Sequence, residues 1–441
     1  MLYYIKMTEY IPQEILGIYK KLKEANFEVY LVGGCVRNML LKKPVKDWDM
    51  TTNATPQDLL KIFKEGFYDN KFGTVGVPLL TQEYGRTIVE ITTFRTEKGF
   101  SDQRRPDKVE WGKSIEEDLA RRDFTVNAIA SEVRSQKLGV RIIDPYEGQK
   151  DIENKIIRAV GDPKQRFKED ALRLIRAIRI ATEHGFTIES KTWQEIVSDA
   201  KLIRDVSGER VRIEFLRILA SNRTYEGIML LKESNLLQYI LPELMEGVGV
   251  SQKRPGRHHV DDVFTHNILS LKFCPSTDPI VRLAALLHDV GKPKVMSKDE
   301  EGLVIFYNHE VTGASIAREI CDRLKFSRKE RDKIVNLIRW HMFTVDEKLS
   351  DAGIRRFIRR IGVESVKDMM DLRIGDRLGG GTQTAESWRL KLFKKRIEDQ
   401  LAPLPFSIND LAVDGNDIMK ELNLKPGPKI GDILNKLFLE V

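Results

Sequence analysis

The spacing of apolar residues divides the chain into a mixed first third and an almost entirely helical remainder. Residues 11–26 place apolar side chains at helical intervals, which predicts an N-terminal helix. Short β-like runs separated by turns follow at 29–34, 47–52, 75–80, 87–94 and 139–143. From residue 152 onward such runs nearly disappear, and segments such as 167–183 and 210–221 have the pattern of amphipathic helices. The pattern therefore predicts a small α+β domain followed by helical domains.

Length, charge and cysteine content narrow the class of protein. A chain of 441 residues exceeds one ordinary hydrophobic core, so about two to four domains are expected. The formal net charge of +7 favours a polyanionic partner such as nucleic acid, although a charge-rich surface also suits a heat-adapted protein. Cys35, Cys274 and Cys321 form no CxxC pair, which excludes a disulfide scaffold and indicates a reducing, cytoplasmic compartment. No run of about 18 apolar residues occurs, so no membrane-spanning segment is predicted.

Carboxylates in the first third are candidates for metal-dependent chemistry. Asp47 and Asp49 stand two apart in a strand-like segment, so both side chains are predicted to lie on one face of a sheet. Such a pair suits Mg2+, which leaves its other coordination positions to water and to substrate phosphates. Glu90 interrupts a β-branched run and is a candidate third carboxylate. A solvated strand edge is the ordinary explanation of an isolated Asp pair, and a surface position explains Glu90 equally well.

A glycine turn precedes these carboxylates. Gly33 and Gly34 follow the apolar run YLV, and Arg37 falls in the first turn of the helix predicted after them. Backbone N–H groups at a helix start, together with a guanidinium, suit the binding of a triphosphate. An ordinary strand-to-helix turn has the same residues, so this motif alone leaves both interpretations open.

Seven segments in consistent order resemble the motifs of bacterial tRNA nucleotidyltransferases, the CCA-adding enzymes, and of their poly(A) polymerase relatives. They are LVGGCVRNMLLKKPVKDWDMTTNATP (31–56), VEITTFR (89–95), RRP (104–106), EEDLARRDFTVNAIA (116–130), DPYEG (144–148), EDALRLIRAIRIA (169–181) and GERVRIEF (208–215). The resemblance implies an α+β fold, with a polymerase-β-like nucleotidyltransferase head that contains a mixed sheet. An all-α neck, an HD-type helical domain and a helical C-terminal region are implied after the head.

The same resemblance implies domain boundaries and a reaction. The boundaries are 1–26 for the N-terminal helix, 27–150 for the head, 151–245 for the neck, 255–378 for the HD-type domain and 382–441 for a tRNA-binding C-terminal region. The head would add CMP, CMP and AMP to tRNA 3′ ends from CTP and ATP, without a nucleic-acid template. Asp47 and Asp49 would hold two Mg2+ ions, and Glu90 would orient or deprotonate the RNA 3′-hydroxyl. The oligomeric state stays open.

The resemblance also assigns residues to the incoming nucleotide. They are Gly33, Gly34, Arg37, Arg122, Asp170, Arg173, Arg176 and Arg179. Asp170 and Arg173 lie three apart on the helix predicted over 167–183, and they are implied to read the base. Since a carboxylate only accepts and a guanidinium only donates hydrogen bonds, the pair suits the amino and ring-nitrogen edge that cytosine and adenine share. A local salt bridge from Glu169 to Arg173 is the structural alternative.

Residues 94–111 are polar and turn-rich and lie between two candidate site segments. They are predicted to form a mobile loop. In the resembling family a loop at this place is needed for the final A addition and is shortened in enzymes that add only CC. This chain keeps Arg104, Arg105 and Pro106, which favours full CCA addition.

Histidine and aspartate residues farther along resemble a second, HD-type metal site. The implied ligands are His266, His288, Asp289, His309, His341 and Asp376, with LLHDVGK at 286–292 as the local signature. Imidazole and carboxylate ligands suit one or two divalent transition metals that activate water. Accessory phosphatase or 2′,3′-cyclic phosphodiesterase activity is implied, and a degenerate domain kept as a scaffold is the alternative.

Basic helices near the C-terminus are candidates for tRNA contact. IRRFIRR (354–360) and RLKLFKKR (389–396) would place cations along helix faces, and 424–434 has tight turns before a helix. A solvated helix face is the ordinary explanation of such runs, but the positive net charge favours RNA.

Two other functions fit many of the same residues. An A-adding enzyme or a poly(A) polymerase of the same family would share nearly every segment, and incorporation of CMP separates it from a CCA-adding enzyme. An HD phosphohydrolase with a regulatory nucleotide-binding head belongs to a different class, and it would keep its main activity after Asp47→Ala.

Overall fold

The chain folds into two compact units, Met1–Ile240 and Leu241–Val441. The structure is a computed structural model that describes residues 4–5, 8–68, 73–81, 85–98, 108–112, 114–135, 139–252, 262–346, 348–401, 408 and 411–440. Within these residues no helix is both long and apolar enough to cross a membrane. The finer division into five domains stays a prediction.

The strands lie mainly in the first unit. They are β1 (Tyr4–Ile5), β2 (Val29–Val32), β3 (Asp49–Thr52), β4 (Phe67–Tyr68), β5 (Thr74–Thr81), β6 (Gly85–Thr93), β7 (Arg95–Lys98), β8 (Lys108–Trp111), β9 (Ala130–Ser135), β10 (Gly139–Ile143), β11 (Ile156–Ile157), β12 (Thr187–Ile188), β13 (Ser297–Lys298) and β14 (Val304–Ile305). Eight of them form one sheet in the order β1-β10-β9-β2-β3-β6-β5-β4. β3 and β6 run parallel, and the other neighbours run antiparallel. The predicted mixed sheet is confirmed.

Helices make up most of the remainder. In the first unit they are α1 (Gln13–Glu24), α2 (Gly34–Leu40), α3 (Pro56–Ile62), α4 (Ile115–Ala120), α5 (Gly148–Glu153), α6 (Pro163–Glu169), α7 (Leu172–His184), α8 (Ser190–Asp199), α9 (Gly208–Ala220), α10 (Thr224–Glu233) and α11 (Leu237–Ile240). In the second unit they are α12 (Pro242–Met245), α13 (Val263–Phe273), α14 (Pro279–Leu287), α15 (Lys292–Val295), α16 (His309–Arg323), α17 (Arg328–Trp340), α18 (Asp351–Ile361), α19 (Val366–Gly379), α20 (Trp388–Leu401), α21 (Gly415–Glu421) and α22 (Pro428–Glu440).

The core of the sheet holds the candidate site in place. All four residues of β2 are buried, as expected for an apolar strand in the middle of a sheet with both faces covered. Tyr30 and Val32 of this strand pack with Phe94, Ile115 and Leu119. Burial of such side chains contributes about 1.5–3 kcal/mol each, so the end of β2 is firmly fixed. The glycine turn begins directly after that end.

Two expectations about the first unit need correction. Residues 1–26 contain more than a helix, because Tyr4–Ile5 forms the edge strand β1 and pairs with β10. The segment 94–111, predicted as a mobile loop, begins and ends in the antiparallel pair β7 and β8, with Arg95 opposite Trp111. Arg104, Arg105 and Pro106 lie outside the described residues.

The prediction of one continuous helix over 167–183 is wrong. α6 ends at Glu169, and Asp170 adopts an extended conformation with φ −148° and ψ 103°. Its Oδ1 accepts a hydrogen bond from the N–H of Leu172 at 3.1 Å, so the Asp170 side chain satisfies the first N–H group of α7 from just before the N-cap residue Ala171. Aspartate favours helix starts over helix interiors for this reason. The helical spacing of apolar residues continues across the break, which is why the sequence pattern conceals it.

Close helix packing shapes the second unit. α13 and α19 approach closely because α19 has glycines where they meet: a Cβ at Gly379 would lie 2.4 Å from Oγ of Ser270, and one at Gly375 would lie 2.5 Å from the Ser270 carbonyl oxygen. Larger side chains there would force the helices apart. Both helices carry residues of the candidate metal centre.

Candidate functional site

The three predicted carboxylates of the first unit converge where β3 begins. Asp49 is the first residue of β3 and lies opposite Glu90 of β6 in the parallel register. The N–H of Glu90 donates to the carbonyl oxygen of Trp48 at 3.2 Å, which joins the two segments before the ladder starts. Asp47 precedes β3, so the argument from strand periodicity does not apply to it. It nevertheless lines the same cavity as Asp49 and Glu90.

The glycine turn brings the guanidinium of Arg122 close to these carboxylates. Gly33 has φ 75°, a conformation that favours glycine. A Cβ at this position would lie 2.8 Å from Nη1 of Arg122 and 3.7 Å from Oδ2 of Asp49. The absence of a side chain therefore allows Arg122 to approach the backbone turn. Arg37, on α2, donates from Nη1 to Oδ1 of Asn127 at 2.5 Å.

A buried carboxylate that the sequence interpretation missed, Asp118, fixes two arginines at this turn. Asp118 is fully buried, and its carboxylate oxygens lie 2.5 Å from Nη2 of Arg121 and 3.1 Å from Nη2 of Arg122. Burial acts to raise the pKa of Asp118, but the two guanidinium groups outweigh it and hold the pKa below its usual value. The carboxylate thus stays ionised and orients both arginines.

The carboxylates, the glycine turn and the arginines that Asp118 orients line one cavity of about 1040 Å3. Every site residue predicted for the head and neck lies in its lining: Gly33, Gly34, Arg37, Asp47, Asp49, Glu90, Arg122, Asp170, Arg173, Arg176 and Arg179. Basic residues that were not predicted line it as well: Lys43, Lys46, Arg95, Arg121, Arg210 and Arg217. A concave site with this excess of cations suits a polyanionic ligand.

The predicted base-reading pair is held differently from the expectation. Oδ2 of Asp170 lies 2.8 Å from Nη2 of Arg210, and Nη1 of Arg173 lies 2.8 Å from Oε2 of Glu169. The structure thus contains the local Glu169–Arg173 salt bridge that the sequence offered as an alternative. Nη2 of Arg173 also donates to the carbonyl oxygen of Arg121 at 3.0 Å. Asp170 and Arg173 are therefore fixed by separate partners, with both side chains at the cavity wall.

Arg210 is a residue that the sequence interpretation missed. It lies within the segment GERVRIEF (208–215), for which the family resemblance implies no site residue. Its contact with Asp170 joins residues 40 positions apart, on α9 and before α7. Helix spacing gives no information on such a contact.

Two further arginines of α7 are paired with carboxylates. Arg176 contacts Asp123 at 3.2 Å and Glu214 at 3.3 Å. Arg179 contacts Glu214 at 2.5 Å and Glu183 at 2.8 Å. Burial opposes the charge of Arg176, but Asp123 and Glu214 outweigh it and raise its pKa. At Arg179 burial has the larger effect and lowers the pKa, although Glu214 and Glu183 act in the opposite direction. The pairs hold both guanidinium groups in defined positions.

Charge near Asp49 favours a cation. Burial raises the pKa of the Asp49 carboxyl, Arg122 acts in the opposite direction, and the neighbouring Asp47 raises it further. Two close carboxylates in a partly buried site repel each other, and a bound divalent cation relieves this repulsion. The oxygen donors of Asp47, Asp49 and Glu90 thus fit a hard metal ion.

The second unit brings together all the predicted HD ligands. His266 lies on α13, His288 and Asp289 directly follow α14, His309 begins α16, His341 directly follows α17, and Asp376 lies on α19. Oδ2 of Asp289 lies 3.2 Å from Nε2 of His266 and 3.4 Å from Nε2 of His288. Oδ1 of Asp289 lies 3.2 Å from Nε2 of His309 and 3.7 Å from Nε2 of His341. The carboxylate therefore stands between two pairs of histidines.

The histidine rings are oriented for metal binding. Nδ1 of three of them lies next to a backbone carbonyl oxygen, which can only accept a hydrogen bond, so Nδ1 carries the proton. In a neutral ring Nε2 then keeps its lone pair and points into the cluster. The distances are 2.9 Å from His288 to Ala285, 2.8 Å from His309 to Phe306 and 2.7 Å from His341 to Ile338.

The charge of this cluster also favours a cation. Burial acts to raise the pKa of Asp289, but His288 and Lys292 hold it well below its usual range. Burial likewise disfavours a charged His288, yet the adjacent carboxylates Asp289 and Asp376 raise its pKa to about 10. The cluster therefore stabilises positive charge. Imidazole and carboxylate donors in this arrangement fit divalent transition metals.

The basic segments near the C-terminus lie on helices, as predicted. Arg355 on α18 donates to Gln400 at 2.9 Å. The guanidinium of Arg359 lies 4.7 Å from the ring centre of Phe438, and that of Arg360 lies 4.4 Å from the ring of Trp340. These arginines contribute to packing of the helices, and their contact with RNA stays a prediction.

Comparison with known proteins identifies three family models along the chain. The model of the Poly A polymerase head domain matches residues 29–158. The model described as a probable RNA and SrmB-binding site of polymerase A matches residues 185–247. The HD domain model matches residues 269–389.

Similar proteins cover nearly the whole chain. The CCA-adding enzyme of Ligilactobacillus salivarius is 30% identical over 99% of this chain and 94% of its own length. That of Streptococcus thermophilus is 31% identical over 97% of this chain and 92% of its own length. The solved structure of the Bacillus stearothermophilus CCA-adding enzyme in complex with CTP has a TM-score of 0.63 at 27% identity, covering 97% of this chain and 91% of that one. The Thermotoga maritima CCA-adding enzyme complexed with tRNA, at 20% identity and a TM-score of 0.57, covers 100% of this chain and 94% of that one and shows a similar fold.

Proposed function

This chain belongs to the family of CCA-adding enzymes, and on that premise we propose how its cavity adds CMP, CMP and AMP to the 3′ end of tRNA from CTP and ATP. The observation that carries the proposal is the convergence of Asp47, Asp49 and Glu90 with a wall of arginines in one cavity. Carboxylates of this kind suit the transfer of a nucleotidyl group, and arginines suit its triphosphate.

Residues of the head carry the transfer step in this proposal. The 3′-hydroxyl oxygen of the RNA bonds to the α-phosphorus of the nucleotide, and the bond from that phosphorus to the pyrophosphate oxygen breaks. Two Mg2+ ions held by Asp47 and Asp49 would lower the pKa of the hydroxyl and offset the charge of the departing pyrophosphate. Glu90 orients the hydroxyl or accepts its proton, while Arg37 and Arg122 bind phosphate oxygens.

The start of α7 reads the base in this proposal. Asp170 accepts from the exocyclic amino group of cytosine or adenine, and Arg173 donates to the adjacent ring nitrogen. Uracil and guanine present a carbonyl and a ring N–H instead, which leaves polar groups unpaired. Arg210 supports Asp170, because it pairs with the carboxylate oxygen Oδ2 at 2.8 Å.

We expect Asp170→Asn to weaken the discrimination of CTP from UTP by about tenfold to a hundredfold, the effect of one unpaired buried polar group. The amide can donate to the carbonyl of uracil, which the carboxylate cannot. The measurement is the ratio of kcat/KM for CTP to that for UTP on tRNA lacking CCA. Asp162→Asn, an equal charge change at an exposed position that does not line the cavity, is the matched control. An unchanged ratio in the Asp170 variant contradicts the base-reading role.

The test of the overall proposal is extension of tRNA lacking its 3′ CCA, with Mg2+ and each labelled nucleotide alone and together. Three added nucleotides that require CTP before ATP are expected. A product that ends at CC contradicts full CCA addition and directs attention to residues 94–111. Extension with ATP alone moves the chain to the A-adding or poly(A) polymerases of the same family.

We infer a second activity in the HD centre, a metal-dependent phosphatase or 2′,3′-cyclic phosphodiesterase. The observation that favours it is the position of Asp289 between two pairs of histidines, with a buried set of imidazole and carboxylate donors. One or two divalent transition metals held by these residues would activate water as a nucleophile. Such an activity would prepare damaged RNA 3′ ends for the addition of CCA.

The HD proposal is tested on the whole protein with a 2′,3′-cyclic nucleotide and with a 3′-phosphorylated RNA, in the presence of Mn2+, Ni2+, Co2+ or Zn2+. Hydrolysis of at least one substrate is expected. A chelator should abolish this hydrolysis, and one of these metals should restore it. Metal binding without hydrolysis of either substrate favours the alternative, a domain that serves as a scaffold.

The partner and compartment complete the proposal. The helical region that contains α18 and α20 would hold tRNA through the tRNA phosphates. Recognition would depend on the shape of the tRNA more than on its sequence. Cys35, Cys274 and Cys321 are free and buried, which supports a reducing cytoplasmic location.

A further inference from the structure

Lys43 is a cation of the nucleotide cavity to which no role has been assigned. It lines the cavity, and its Nζ lies 3.0 Å from Nδ1 of His184. The turn after α2 leads to this position: Lys42 has φ 53°, and the N–H of Lys43 donates to the carbonyl oxygen of Asn38 at 2.9 Å. The backbone turn therefore fixes the base of the Lys43 side chain, and His184 fixes its ammonium group.

His184 holds the ammonium as a neutral acceptor. It is the last residue of α7, and its ring lies 5.7 Å from that of Phe186. Burial, followed by the positive charges of Arg37 and Lys43, lowers the pKa of His184 to about 3. The ring is thus uncharged at neutral pH, and Nδ1 accepts a hydrogen bond from Lys43. His184 does not itself line the cavity, so it positions Lys43 from outside the lining.

The charge of Lys43 is compensated only in part by the protein. Nearby, Glu183 contacts Arg179 at 2.8 Å and Arg217 at 2.9 Å. In the described part of the chain no carboxylate lies within 4.0 Å of Nζ of Lys43, whose partner is a neutral imidazole. Burial and the charge of Arg37 lower the pKa of Lys43, and the more distant Glu183 offsets this only in part. An anion bound beside Lys43 would relieve this excess of positive charge.

Position along α7 indicates which anion is bound. Arg173 and His184 are 11 residues apart, about 16 Å at a rise of about 1.5 Å per residue. Arg176 and Arg179 lie between them and line the same cavity. If the base is read at the start of the helix, a nucleotide extended along it presents its phosphates to the later residues. The last phosphate then lies at the end that carries His184.

We propose that Lys43, positioned by His184, binds the terminal phosphate of the incoming nucleoside triphosphate. This inference rests on the proposed function, because it takes Asp170 and Arg173 as the end that reads the base. A compact ammonium suits a terminal phosphate, which carries the most charge and leaves with the pyrophosphate. Lys43 would then contribute to the binding of both CTP and ATP, whichever base is read.

The test compares the binding of CTP, CDP and CMP to the whole protein without tRNA, in wild type, Lys43→Met and Lys42→Met. Lys43→Met is expected to weaken CTP binding about tenfold, the order of one charge-assisted hydrogen bond. CMP binding is expected to stay unchanged, so that the advantage of CTP over CDP is largely lost. Lys42 is an exposed neighbour outside the cavity lining, so Lys42→Met removes the same charge and is expected to match wild type.

The positioning role has its own readout. His184→Phe keeps an aromatic ring but removes the acceptor, and it is expected to weaken CTP binding severalfold while leaving CMP binding unchanged. The double variant Lys43→Met/His184→Phe is expected to bind CTP no more weakly than Lys43→Met alone, because both changes remove one contact. Additive losses in the double variant contradict the positioning role. Thermal unfolding of each variant checks that the fold is intact.

Other outcomes overturn the inference and leave the proposed function standing. Equal losses for CTP and CMP contradict a contact with the terminal phosphate. A raised KM for tRNA with unchanged CTP binding assigns Lys43 to an RNA phosphate instead. If wild type binds neither CTP nor ATP, the proposed function itself fails, and this result is distinct from a failure at Lys43.

Discussion

Asp49→Asn is expected to lower the addition of CMP and of AMP to tRNA by about a thousandfold or more, because the metal-ligand carboxylate supplies several kcal/mol of stabilisation to the transition state. All three additions are expected to fall together, since they use the same site. The measurement is single-turnover extension of tRNA lacking CCA, of tRNA ending in C and of tRNA ending in CC.

The same substitution is expected to leave stability unchanged or to raise it. The folded state raises the pKa of Asp49, chiefly through burial, so the ionised carboxylate destabilises the metal-free protein at neutral pH. Removing the charge removes this penalty. As pH falls through the pKa of Asp49, wild type takes up a proton, and the difference in Tm between the two proteins is expected to narrow. Thermal unfolding in a chelator, from neutral pH downward, measures it.

Glu65→Gln serves as the control for Asp49→Asn. Glu65 is an exposed carboxylate of the head that does not line the cavity, so this variant should extend tRNA at the wild-type rate. Near-normal extension by Asp49→Asn with Mg2+ rejects the assignment of Asp49 to metal binding. A large loss of both extension and Tm would instead indicate a structural defect.

Asp289→Asn is expected to abolish HD-dependent hydrolysis of a 2′,3′-cyclic phosphodiester while CCA addition continues at the wild-type rate. The carboxylate contacts His266 and His309 through different oxygens, so its loss affects both histidine pairs. Retained transition metal, measured by elemental analysis after dialysis, is expected to fall in parallel. Full hydrolysis by the variant would exclude this centre as the source of the activity.

Asp289→Asn is expected to lower the free energy of unfolding, in contrast to Asp49→Asn. Asp289 is buried and paired with Lys292 at 2.5 Å, and removing one partner of a buried ion pair costs about 3–5 kcal/mol. His309→Gln removes one ligand and leaves that pair intact, so it provides a second variant with less damage to the fold. Glu300→Gln, at an exposed position in the same unit, is the control.

Residue spacing predicted some contacts of the site and missed others for identifiable reasons. Asp49 and Glu90 belong to regular strands, where alternation along the chain is a reliable guide, and they lie opposite each other. Asp170 was expected within a helix because the apolar pattern continues through it. Its side chain instead accepts from the N–H of Leu172, the first residue of the following helix, and this local hydrogen bond outweighs helix periodicity.

Contacts between distant segments could not be predicted in this way. The pairing of Arg210 with Asp170 and the contact of His184 with Lys43 span 40 and 141 residues. They depend on how helices pack after the chain folds, and spacing along one helix gives no information on them. The HD ligands were expected together only through a family resemblance. Apart from the adjacent pair His288 and Asp289, successive ligands are 20 to 35 residues apart, which matches no local periodicity.

The position of the cavity along the chain has a consequence for biosynthesis. Its lining extends from Val32 to Arg217 and lies wholly within the first unit, whereas the first HD ligand is His266. Because domains fold from the N-terminus as they emerge from the ribosome, a nascent chain acquires its nucleotide site before its HD centre exists. CTP and ATP in the cell bind the folded form of this site and so favour folding of the first unit while the second is still being translated.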